Sequence, residues 1–96
     1  MELGQISSVL KKEQKRLKSF GVESLALFGS TVRGEANAES DLDFLVDFQG
    51  PATFDQYMGL RLFLEDLLGR PVDLVTRKGI RPSLASFIER EAKRVA

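Results

Sequence analysis

Apolar residues recur at helical spacing over residues 3–20. Ile6, Val9, Leu10 and Leu17 fall near one face, and Lys11, Lys12, Lys15, Arg16 and Lys18 fill the rest. That pattern predicts an amphipathic helix, with Gly21 placed as the left-handed residue that stops it. Residues 23–28 (ESLALF) are short, apolar and end at Gly29-Ser30, the pattern of a buried strand. Residues 31–36 suit a short helix or turn. Residues 41–48 (DLDFLVDF) alternate acid and apolar side chains and are rich in β-branched and aromatic residues, which predicts a second strand ended by Gly50-Pro51. Residues 54–68 form a strong helical segment before Gly69, and residues 72–76 (VDLVT) a third short strand. Pro82 suits the first turn of a last helix, in which Leu84, Phe87, Ile88, Ala92 and Val95 repeat at helical spacing. The predicted fold is therefore α/β (α+β): a three-stranded mixed sheet flanked by helices.

Length adds a constraint. The 96 residues make one domain, 1–96, with a single modest core. A chain this short has no room for both a catalytic domain and a separate substrate-recognition domain. Lys+Arg and Asp+Glu number 14 each, a balance that argues against binding held mainly by phosphate neutralisation on nucleic acid. Cysteine and histidine are both absent, which removes disulfides, zinc–thiolate sites and histidine acid–base pairs. Chemistry is left to carboxylates, hydroxyls, Lys, Arg, Tyr or a bound metal. No run suits a signal peptide or a membrane span, so a cytoplasmic location is expected.

Candidate chemistry concentrates in residues 28–43. Gly29-Ser30 sits where a strand turns into a helical segment. Glycine there admits a phosphate close to the backbone, and the N–H groups of the turn with the Ser30 hydroxyl attract anions. Arg33, one turn on, could reach the same phosphate as a charged fork, or could equally pair with Glu35 or Glu39 on the surface. Asp41 and Asp43 stand at i and i+2 of a strand and project from one face, while Leu42, Phe44 and Val46 point the other way into a core. Hard carboxylate oxygens on one face suit magnesium, which shares its shell with phosphate oxygens. Asp73 is the further carboxylate that two-metal nucleotidyl transfer needs. An acid inside so short an apolar strand is costly unless paired or metal-bound. On this reading Asp41 and Asp43 bridge both ions, and Asp73 holds the one that activates the acceptor hydroxyl. Asp47 reads as a solvated strand end, and Glu65 and Asp66 as a helix face in water.

The stretch FGSTVRGEANAESDLDFLVDF resembles the Gly-Ser-x-x-Arg-Gly…Ser-Asp-x-Asp signature of the minimal nucleotidyltransferase (MNT) domain of the DNA polymerase beta superfamily. The tail from Val72 to Val95 is similar to that family's third-aspartate strand and final helix, with Val32 standing where many relatives carry alanine. The resemblance implies a triphosphate-binding pair at Gly29 and Ser30 and metal-binding acids at Asp41, Asp43 and Asp73. It implies two Mg2+ ions and ATP as nucleotidyl donor. It also implies an antitoxin role beside a HEPN-domain ribonuclease toxin, silenced by AMP transfer to a tyrosine. Two other readings stand beside it: a non-catalytic antitoxin that occludes its partner, and nucleotidyl transfer to a small molecule or an RNA end.

Helix 54–68 carries more apolar residues than one buried stripe uses. Either a small fold wraps it on two sides, or a second apolar face meets the partner or another copy, which leaves a homo- or hetero-oligomer open.

Overall fold

The computed structural model of this chain describes residues 3–29, 32 and 41–96. Along the chain these form α1 (Leu3–Lys12), α2 (Gln14–Ser19), β1 (Val22–Phe28), β2 (Leu42–Phe48), α3 (Phe54–Leu68), β3 (Val72–Thr76), a 3-10 turn at Arg77–Gly79, α4 (Pro82–Glu91) and β4 (Lys93–Arg94). Of the predicted turn or helix over 31–36, only Val32 is described; it is helical and packs at the margin of the core.

The strand order is β3-β2-β1-β4, with β1 antiparallel to both β2 and β4, and β2 parallel to β3. The mixed sheet expected from the sequence is present with four strands instead of three. The extra strand comes from the predicted last helix, which ends at Glu91. Ala92 turns extended (φ −65, ψ 138), Lys93 and Arg94 pair with Leu27 and Ala26, and the Val95 N–H donates to the Leu25 carbonyl at 2.9 Å. Val95 is buried as its spacing suggested, but just past β4 and not on a helix: β1 offered an unpaired edge, and edge pairing outweighed continuing the helix. Leu84 and Phe87, expected in the core, are 50% and 57% exposed.

The predicted helix over 3–20 is divided at Glu13, whose N–H bonds the Leu10 carbonyl in a tightened turn. Its apolar face is as the spacing implied, with Ile6, Leu10 and Leu17 buried. Gly21 (φ 83) and Gly69 (φ 67) stop α2 and α3 in the left-handed conformation.

One face of the sheet, built from Leu25, Leu27, Leu42, Phe44, Val46, Phe48, Val72 and Leu74, packs on Ile6, Leu10, Leu17, Leu60, Leu64 and Leu68 of the helices. Alternation then sends Asp43, Leu45, Asp47, Asp73 and Val75 to the opposite face. The helix α3 starts from a capping box. The Thr53 hydroxyl accepts from the Gln56 N–H, and the Gln56 side chain accepts from the Thr53 N–H. Its register on the sheet is fixed by the Tyr57 hydroxyl, which donates to the Leu74 carbonyl at 2.5 Å. Its second flank is covered within the chain. The Phe63 and Phe20 rings lie 5.5 Å apart, and the Arg16 guanidinium sits 5.1 Å above Phe63. What stays exposed on α3 is narrower than the sequence suggested: Phe54 at 76% and Leu62 at 58%. No helix among the described residues is long and apolar enough to cross a membrane.

Candidate active site

Three elements meet at the end of β1 and the starts of β2 and β3. The antiparallel pairing of β1 with β2 sets Phe28 opposite Asp43, and the parallel pairing of β2 with β3 sets Asp43 beside Asp73. Residues paired across adjacent strands share a face, and neighbouring strands lie about 4.8 Å apart. The backbone register therefore puts Asp43 and Asp73 at adjacent positions on one face of the sheet. A parallel pair needs a long crossover, and α3 supplies it. Its register is pinned by the Leu42 N–H on the Pro71 carbonyl and by the Val72 N–H on the Glu65 carboxylate, both at 2.9 Å. Glu65 is thus a structural acceptor for the strand that carries Asp73, a role the sequence reading as a water-facing residue missed. Asp66 is exposed, as expected.

Asp41 lies one residue before β2 and is exposed; Asp43 is half-buried. Asp73 is exposed at a position flanked by buried Val72 and Leu74, so its side chain leaves the core as the alternation implied. The exposure removes the argument that its charge must be compensated because it is buried. What singles Asp73 out is its register with Asp43. Asp47, four residues beyond Asp43 on β2, is not merely solvated: its carboxylate lies 3.5 Å from Arg77, which also ion-pairs with Glu89 of α4.

Gly29 closes the site. It turns the chain out of β1 at φ 80, a left-handed conformation that glycine adopts without strain. A Cβ built there would stand 3.1 Å from Cγ of Asp43 and closer still to its Oδ2, so only glycine lets the turn rest against that carboxylate. On its other side the Gly29 N–H donates to Oε1 of Glu91 at 3.1 Å. That N–H is therefore satisfied within the chain, by a carboxylate brought from the end of α4. Ser30 and Arg33, the other two expected phosphate contacts, lie outside the described residues, as does Ser40.

Among the described residues, no three acidic side chains stand close enough to hold one ion. The donor types nonetheless suit a hard divalent cation: the carboxylates of Asp43 and Asp73 come from one face of the sheet, beside the Gly29 turn.

This geometry belongs to a known class. The family profile described as a nucleotidyltransferase domain matches residues 6–95, nearly the whole chain, and the protein belongs to that family. Among curated proteins it is 40% identical over 92 residues to the protein adenylyltransferase MntA of Thermococcus cleftensis, covering 95% of this chain and 93% of that one. Among solved structures it is similar to one described as a minimal nucleotidyltransferase, with a TM-score of 0.83 and 36% identity over 97% of this chain and 95% of that one. The fold is also that of the MNT antitoxin fold found in a complex with a tri-AMPylated HEPN toxin of Shewanella oneidensis. There the TM-score is 0.68 at 20% identity, covering 95% of this chain and 71% of the other.

Proposed function

We propose that this chain transfers AMP from ATP to a hydroxyl of a HEPN-type toxin, a tyrosine by the family resemblance, and so acts as its antitoxin. The observation that carries the reading is the register of Asp43 with Asp73, with Gly29 seated against Asp43. The names of the relatives supply the acceptor class: MntA is named a protein adenylyltransferase, and the Shewanella oneidensis antitoxin is seen with an AMPylated HEPN toxin.

In this mechanism Gly29 lets the triphosphate approach the backbone closely, and Ser30 and Arg33 bind it through hydroxyl and guanidinium donors. Asp41, Asp43 and Asp73 would hold two magnesium ions, which when bound neutralise the triphosphate and acidify the acceptor hydroxyl. The acceptor oxygen attacks the α-phosphorus. A phosphorus–oxygen bond to the acceptor forms, the bond between the α-phosphorus and its bridging oxygen breaks, and pyrophosphate leaves with that oxygen. The hydroxyl proton passes to Asp73, whose exposure lets it hand the proton on to water. The exposed apolar positions Phe54 and Leu62 of α3 are the part of that helix left to meet the partner.

The direct experiment incubates the chain with ATP labelled at the α-phosphate, Mg2+ and the HEPN-type protein encoded beside it. Label is expected on the partner. Stable complex formation without label on the partner would defeat the enzymatic reading. A binding-only antitoxin is the competing account, favoured by the exposed Phe54 and Leu62. The double variant Asp41→Asn, Asp43→Asn separates the two: neutralisation is lost if transfer is required and kept if occlusion suffices.

A further inference from the structure

The β1–β4 ladder points to a residue that no motif marks. Its register pairs position 26 with 94 and 27 with 93, so position 29 falls opposite 91. A regular ladder would satisfy the Gly29 N–H there with a backbone carbonyl. The backbone is unavailable, because Glu91 is the last residue of α4 and the chain becomes extended only at Ala92. The Glu91 side chain supplies the acceptor instead, at 3.1 Å and across 62 residues of sequence. Gly29 is thus clamped from both sides, with Asp43 against its Cα and Glu91 on its N–H. The clamp has a fixed base, since the neighbouring turn of α4 is tied by Glu89 to Arg77, and through it to Asp47.

We infer that Glu91 is a positioning residue for nucleotide binding, setting the phosphate turn through the Gly29 N–H without touching substrate. This rests on the proposed role of Gly29 and Ser30 as the triphosphate turn. A turn at positive φ with an unheld N–H samples other orientations, and the nucleotide would then have to order it on binding. The acceptor atom is what positioning requires. Substitutions that separate the acceptor atom from the charge are therefore diagnostic.

The test measures binding of the non-hydrolysable analogue AMP-PNP with Mg2+ by calorimetry on wild type, Glu91→Gln and Glu91→Ala, with the Gly29 amide followed by NMR. Loss of the bond that orders the turn is expected to weaken binding in Glu91→Ala by about tenfold. Glu91→Gln keeps the acceptor oxygen and sheds the charge, so it should retain most of the wild-type affinity. The Gly29 amide should lose exchange protection only in Glu91→Ala. Wild-type affinity in Glu91→Ala, or equal weakening in the Gln variant, overturns the inference. If Glu91→Ala does not fold, Glu91→Asp, one methylene too short to reach, takes its place with the same expected loss. No nucleotide uptake by wild type would instead defeat the reading of the turn, and the amide data would still report whether the clamp exists.

Discussion

Substituting alanine at Gly29 tests the geometry most sharply, because Gly69 provides a matched control. Both glycines are left-handed, at φ 80 and φ 67, so alanine incurs a similar backbone penalty at each, about 1–2 kcal/mol. Both substitutions also recover about 0.4–1 kcal/mol by restricting the unfolded chain, a contribution that cancels between them. They differ in what the new methyl meets. At Gly69 nothing lies within 4 Å; at Gly29 the methyl would press into the Asp43 carboxylate, 3.1 Å from its Cγ. Asp43 must then leave its rotamer or the turn must shift, at about 0.5–1.5 kcal/mol more. For a domain of this size each kcal/mol moves Tm by about 4–8 °C. Gly29→Ala should therefore melt about 2–12 °C below Gly69→Ala. The functional contrast should be larger: below both melting temperatures Gly69→Ala should bind Mg2+ and AMP-PNP like wild type, and Gly29→Ala should not. Calorimetry and thermal melts on the two variants decide it. Equal stability of the two, or undiminished nucleotide uptake by Gly29→Ala, would refute the close packing of turn and carboxylate.

Three further outcomes follow from the same coordinates. Asp73→Asn removes one of two like charges in register, so without divalent cations it should melt slightly above wild type, by about 0.2–1 kcal/mol, yet lose the stabilisation that Mg2+ with nucleotide confers; a lower melting temperature in the absence of cation contradicts the pairing. Tyr57→Phe deletes the hydroxyl that donates to the Leu74 carbonyl and should cost about 0.5–1.5 kcal/mol by urea denaturation, with nucleotide affinity unchanged if the strand register holds. Phe54→Ser with Leu62→Ser should change stability by less than about 0.5 kcal/mol per site while weakening association with the HEPN-type partner in a pull-down titration; undiminished association would remove α3 from the interface.

The parts of this protein that were legible in its sequence are those set by local periodicity. The alternation of residues 41–48 sent Asp43 away from Leu42 and Phe44, and Gly21 and Gly69 ended their helices where the turn chemistry required it. The parts that were not legible depend on pairing between distant segments. Val95 satisfied a helical repeat equally well while lying just past the edge strand β4 and bonded to β1, because a residue buried every three or four positions looks the same whether the burying partner is a helix face or β1. Glu65 was read as a water-facing helix residue and Glu91 was not singled out at all, since nothing local shows that an N–H of a strand or turn waits across the fold for each. The site divides along the same line. Asp43 and Gly29 were readable from one continuous motif; that Asp73 lies beside Asp43 is a property of the parallel register, created by α3 and pinned by Glu65. A motif thus names the candidate groups for chemistry, while their spacing is set by carboxylates that carry no motif, Glu65 and Glu91, and those are where substitutions should alter affinity without touching the substrate.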